Sequence, residues 1–211
     1  MLDHNISVFA QGLALGGSLI VAIGAQNAYV LRQGLRRRHV LAVTTTCFFI
    51  DLVLIAAGAG GFGRLVSAAP WAVSLAAWGG AAFLTAYGLR AFRAALHPGA
   101  LTTEGQAERP QGVLAAIGTA LAISLLNPHV YLDTVILIGS IAGQFPAPTR
   151  PWFLAGAMCA SGIWFYGLGF GAGRLAPLFA RPVAWRVLDF LIGCIMWAIA
   201  ASLIAGEIVR T

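Results

Sequence analysis

The sequence predicts an all-α integral membrane protein, six transmembrane helices arranged as two inverted three-helix repeats. Three observations carry that prediction. Of the 211 residues, 59% are hydrophobic and 9% charged, where a soluble domain carries about 25% charged residues. Mean hydropathy is +0.84, and apolar runs recur at about 20 residues, the length that crosses a hydrocarbon core roughly 30 Å thick. A polar stretch at the midpoint, HPGALTTEGQAERPQ from His97 to Gln111, leaves three runs on either side.

The runs fall at 6–31, 40–66, 71–93, 113–143, 152–176 and 185–207, each apolar enough to read as a span. The chain therefore reads as one transmembrane domain over 1–211, with a first repeat at 1–96, a linker at 97–111 and a second repeat at 112–211. Its beginning, MLDHNISVFA, lacks a basic n-region and a small-residue cleavage pattern, so no cleaved signal peptide is expected. In the first span Gly24-Ala25-Gln26-Asn27 interrupts the apolar pattern, and in the fourth Leu126-Asn127-Pro128 does the same. Gln26-Asn27-Ala28-Tyr29-Val30-Leu31 aligns with Leu126-Asn127-Pro128-His129-Val130-Tyr131. Gly60 to Leu65 aligns with Phe170 to Leu175, and Trp78-Gly79-Gly80 with Leu191-Ile192-Gly193, in the same order. A repeat of three spans must invert its second copy, an architecture common among secondary transporters.

All 13 basic residues are arginine, against 7 acidic ones. Arg32, Arg36, Arg37 and Arg38 follow the first span; Arg90, Arg93 and Arg109 surround the linker; Arg174, Arg181 and Arg186 precede the sixth. Arg64, Arg150 and Arg210 fall on the other side, so the positive-inside bias places the first group in the cytoplasm and both termini outside. Dispersed arginines without a soluble module exclude nucleic-acid binding. Cys47, Cys159 and Cys194 are isolated in apolar runs, which predicts helix packing rather than disulfides or a metal centre. Gly58 to Gly63 fits GxGxxG inside a membrane run, a false match. Gly58, Gly12 with Gly16, Gly139 with Gly143, and Gly167 with Gly171 are read instead as small-residue packing faces, which also leave room for a homodimer. The chain has no Walker A sequence, so ion gradients rather than ATP must drive any transport, and no cofactor is expected.

The candidate binding residues are polar groups inside these runs. Asp51 lies deep in the second span and Asp133 deep in the fourth. An aspartate at mid-membrane costs about 2.5 to 3.5 kcal/mol on the insertion scale, which marks a pathway or a buried pair. Pro128 removes a backbone donor and breaks the helix, with Asn127 suited to cap the new half-helix and Pro128 to begin it. The positive end of that half-helix suits a carboxylate. His129 and Asp133 share one helical face and could exchange a proton. Gln26 and Asn27, at the matching break, complete the candidate set.

The chain resembles the lysine and arginine exporters of the LysE family of bacterial inner-membrane proteins. The resemblance rests on Gly24-Ala25-Gln26-Asn27-Ala28-Tyr29-Val30-Leu31-Arg32-Gln33-Gly34, Asp51-Leu52-Val53-Leu54, Trp78-Gly79-Gly80, Leu126-Asn127-Pro128-His129-Val130-Tyr131-Leu132-Asp133 and Gly193-Cys194-Ile195-Met196-Trp197. Ala25 stands where the family pattern often has proline, and Leu125 where it often has tryptophan. The resemblance implies multi-pass residence in the bacterial inner membrane and export of L-arginine or L-lysine by a secondary mechanism. The alternative substrates are neutral amino acids or metal cations. Joined to the residues above, it implies a substrate cation paired with Asp51 and Asp133, a substrate carboxylate at the Asn127 break, and protons as the coupling ion.

Overall fold

A computed structural model of the chain describes residues 2–21, 24–61, 70–96, 112–175 and 182–210. Every regular element among them is helical. In order they are α1 (Leu2–Ile20), α2 (Ala25–Leu35), α3 (Val40–Ala59), α4 (Pro70–Leu96), α5 (Val113–Leu125) and a single turn α6 (Pro128–Val130). A π-helical stretch (Tyr131–Ile138) runs into α7 (Gly139–Gln144), followed by α8 (Arg150–Gly171), a 3₁₀ turn (Ala172–Leu175) and α9 (Pro182–Arg210). The linker at 97–111, the alignment partners Phe62 to Leu65, and Arg64, Arg109 and Arg181 lie outside the described residues.

Among the described residues, three helical segments count as long and apolar enough to cross a membrane: Val40–Ala59, Arg150–Arg174 and Val183–Val209. A fourth crossing arises if α1 and α2, which diverge by 83°, count as one bent span. Six spans are expected from the apolar runs, and two of those runs are interrupted. The first run is divided between α1 and α2, and the fourth is divided at Asn127, so that only Val113–Leu125 remains as a shorter apolar helix. At 27 residues α4 is long enough to cross as well.

α3 shows how the spans sit. It buries Val43, Thr44, Cys47, Ile50, Asp51, Leu54, Ile55 and Gly58, while Leu41, Phe49 and Val53 are exposed. An outward apolar face on a helix that is also apolar inside is what lipid contact requires. α4 packs along α9 and α1 along α8 more extensively than any other pairs, and α3 lies against α8, α5 and the π-helical stretch. α2 is wedged among α8, α3, α5 and α9.

Close approach rests on glycine where backbones meet. A Cβ on Gly12 or Gly16 would strike the backbone of Phe153 or Ala157, and one on Gly156 would strike Phe9 and Leu13. Gly58 and Gly139 face one another in the same way between α3 and α7. These agree with the expected packing faces. Gly143, Gly167 and Gly171 do not: each faces open space, and in α8 it is Gly169 that receives Thr44 and Val40. Of the cysteines, only Cys47 is a packing residue; Cys159 and Cys194 are exposed, and all three are free thiols.

Candidate functional site

Two interrupted spans and the helix between them make up the candidate site. At the first interruption Gly24 is extended (φ −123°, ψ 176°) and α2 starts at Ala25. The Ile20 carbonyl at the end of α1 is met by Asn27, whose Nδ2 donates to it at 2.7 Å. Trp164 Nε1 of α8 in turn donates to Asn27 Oδ1 at 3.1 Å. Asn27 therefore ties three helices together. Its neighbour Gln26 differs: the amide Nε2 is buried beside the Cys47 thiol and lacks a hydrogen-bond partner of standard geometry.

The second interruption follows the chemistry of its residues. Asn127 Oδ1 accepts the His129 N–H at 3.1 Å, and the Asn127 carbonyl accepts the Val130 N–H at 3.1 Å. With Pro128 lacking a donor, Asn127 is the cap that its sequence position suggests. Tyr131 Oη donates to the Leu125 carbonyl at 2.9 Å, satisfying an acceptor that the break leaves open. Gly80 of α4 lies so close to the Leu126 carbonyl that any Cβ there would collide with it. Gly80 of the Trp78-Gly79-Gly80 sequence thus has a structural role, bringing α4 against the broken backbone. The π-helical stretch begins at Tyr131, and Thr134 Oγ1 returns a hydrogen bond to the Val130 carbonyl at 2.6 Å. Wide helical turns of this kind are frequent at functional sites.

Asp51 is 3% exposed, and its Oδ2 accepts from Ser161 Oγ of α8 at 2.7 Å. No cation of the described residues lies within ion-pair distance of it. Asp133 is half-buried in the π-helical stretch, with the His129 ring as its neighbour. His129 Nε2 itself lies 3.3 Å from Ser202 Oγ of α9. No hydrogen bond or ion pair joins Asp51 to Asp133 among the described residues: Asp51 is held toward α8, while the π-helical stretch meets α3 through Thr134 and Val135. The structure thus gathers Gln26 and Asn27 at one break and Asn127, Pro128 and His129 at the other, with a separate carboxylate beside each.

Several polar residues that the sequence analysis does not single out are buried here. Ser161 holds Asp51, and Ser124 Oγ, beside the second break, is fully buried without a hydrogen-bond partner. Asp189 of α9 is 1% exposed and pairs with Arg32 Nη2 of α2 at 3.3 Å. The Tyr87 hydroxyl of α4 lies against the same guanidinium. Arg32 is therefore not a loop arginine but part of an interhelical ion pair, which its place in a run of arginines disguises. Glu207 of α9, also buried, accepts from Ser74 of α4. An acidic residue within the last apolar run is the signal that could have found both carboxylates. Among the described residues no three His, Cys, Asp or Glu side chains are grouped as metal ligands.

Comparison with known proteins covers nearly the whole chain. Residues 17–207 match the LysE type translocator family. The chain is 42% identical over 197 residues to a protein of Escherichia coli (strain K12) named arginine exporter protein ArgO, covering 93% of each chain. It is 42% identical over 198 residues to the ArgO protein of Salmonella schwarzengrund (strain CVM19633), covering 94% of this chain and 93% of that one. It is 43% identical over 201 residues to YggA of Aeromonas salmonicida, covering 95% and 97%. No solved structure matches it.

Proposed function

Because the chain belongs to the LysE type translocator family, we propose that it is a multi-pass protein of the bacterial inner membrane that exports arginine from the cytoplasm. The observation that carries the substrate is its 42% identity, along 93% of its length, to a protein named as an arginine exporter. The site supplies matching chemistry, because a buried carboxylate with one hydroxyl donor and, among the described residues, no cation opposite it suits a guanidinium. Lysine, also cationic, is the related substrate.

The mechanism we propose is proton antiport. The substrate cation pairs with Asp51 and then Asp133, which no hydrogen bond or ion pair joins among the described residues and which serve as successive stations. The substrate carboxylate is read at the two breaks, where Gln26 Nε2, beside the Cys47 thiol, and the unpartnered Ser124 Oγ are buried. At the Asn127–Pro128 end the His129 and Val130 N–H groups are already taken by Asn127, so the favourable dipole there acts at longer range. Moving a cation outward against 100 mV costs about 2.3 kcal/mol, which an inward proton offsets. Each carboxylate binds either a proton or the substrate, and that competition couples the two. His129, next to Asp133 and within reach of Ser202, is placed to pass the proton on.

The two three-helix repeats belong to the same proposal. Their support is the correspondence of an interrupted span in each half and the pairing of α4 with α9, the last helix of one half with the last of the other.

The test is efflux of preloaded labelled arginine from cells without their own exporter. Expression of the protein accelerates efflux, and an uncoupler added midway abolishes the gain. Unchanged efflux with arginine, alongside faster release of lysine, threonine or cadmium, would overturn the substrate. Efflux that survives uncoupling would overturn the proton coupling.

A further inference from the structure

α4 and α9 pack along one another at length, while each meets the remaining helices over short contacts. Those contacts are polar at both ends of α9. At one end Asp189 pairs with Arg32 of α2, and Arg36 lies over the Trp185 ring, 5.8 Å from its centroid. At the other end Ser202 meets His129. The thirteen residue steps from Asp189 to Ser202 span about 20 Å of helix. Between them Ile192 and Met196 join Tyr29, Cys47 and Ala120 in one buried apolar cluster.

Arg32 presents to Asp189 the same group that the proposed substrate carries, a guanidinium. A carboxylate 1% exposed cannot lose its partner without replacement, since an unpaired buried charge is strongly disfavoured. Another guanidinium is the natural replacement. The turn after α2 holds Arg37 and His39 in left-handed backbone (φ 50° and 52°), a strained conformation for side-chain-bearing residues that recurs at switch segments.

We propose, as an inference that rests on the exporter reading, that Asp189 is a guanidinium-binding station at the arginine-rich mouth. Arg32 occupies it when substrate is absent and so latches the α4–α9 pair against α2. Incoming arginine displaces the Arg32 guanidinium, the latch releases, and the cluster between α2 and α9 opens toward the cytoplasm. Asp189 then hands the substrate inward to Asp51.

Cys47 lies fully buried in that cluster and reports its opening. The experiment uses the full chain in proteoliposomes, with Cys159 and Cys194 replaced by serine, and follows N-ethylmaleimide modification of Cys47 by intact mass. In the otherwise unchanged protein, modification is slow, and arginine or methylguanidinium accelerates it at least threefold. In Arg32→Gln it is fast without either. In Arg32→Gln/Asp189→Asn, which leaves no unpaired charge to compromise folding, it is fast and neither compound changes it. Equal rates with and without both compounds, and in the double variant, would overturn the latch. Arginine flux measured on the same liposomes separates the two readings. Absent flux with a methylguanidinium-sensitive thiol removes the exporter assignment, while arginine flux with an insensitive thiol removes the latch.

Discussion

Gln26 and Asn27 are adjacent amides with opposite roles, and their difference sets what each substitution does. Asn27 donates to Ile20 and accepts from Trp164, so Asn27→Ala leaves a carbonyl and an indole N–H unpaired together. Each orphaned buried group costs about 1–3 kcal/mol, and a lowered thermal unfolding midpoint in detergent is the expected result. Gln26→Ala removes an amide that sits beside the Cys47 thiol and holds no backbone group, so the midpoint falls less than in Asn27→Ala while arginine efflux falls. Asp51→Asn keeps the shape and the Ser161 contact but not the charge, and efflux drops at least tenfold with normal membrane yield. Retained efflux with an unaltered pH profile in both Asp51→Asn and Asp133→Asn would rule out the carboxylate scheme. Asp51 was legible in the sequence because a carboxylate inside an apolar run has few innocent explanations. Asp189 was equally buried, but it sits near the start of its run beside Arg186, where composition alone reads as a membrane boundary. Arg32 was hidden for the complementary reason, since four arginines in seven positions read as a solvated loop.

At the scale of elements, what followed from backbone chemistry was legible and what depended on interhelical register was not. Pro128 cannot donate, so the break and the Asn127 cap follow directly. The π-helical turns after it leave no trace in composition, because they differ from α-helix only in which carbonyl each N–H reaches. Glycine faces were legible as a class but not residue by residue: Gly12 and Gly16 pack, whereas Gly167 and Gly171 lie open two positions from Gly169, which packs. Gly80→Ala should accordingly force α4 off the Leu126 carbonyl, with overpacking that costs about 1–3 kcal/mol and loss of transport. Gly171→Ala, in open space, serves as the control that changes neither. Ala25 offers the opposite case. It opens α2 after an extended Gly24, the backbone that a following proline favours, and proline suits the first helical position. Ala25→Pro should raise stability by about 0.4–1 kcal/mol, seen as a higher unfolding midpoint with efflux retained.

Over the whole molecule, charge placement and helix order must give the same orientation, and this makes topology testable with two residues. Arg38 is exposed in the turn between α2 and α3, and Ala147 is exposed between α7 and α8. α3, α4 and the interrupted unit from α5 to α7 separate them. If each crosses once, that is an odd number of crossings, and the two positions face opposite sides. Moving Arg32 from the loop to the buried pair with Asp189 reduces the arginines counted on the first side from ten to nine, still against three, so the bias persists. In cells whose chain has its native cysteines replaced by serine, an impermeant maleimide should label Ala147→Cys directly and Arg38→Cys only after permeabilisation. Labelling of both from the same side would require an even number of crossings between them. The most economical way to reach that number is for the unit from α5 to α7 to enter and leave by one face. The Pro128 break would then be the tip of a re-entrant loop, and Asp133 would be reached from a single side of the membrane. The successive-station mechanism would fail with it, because a carboxylate open to one compartment alone cannot exchange a proton for a substrate across the bilayer.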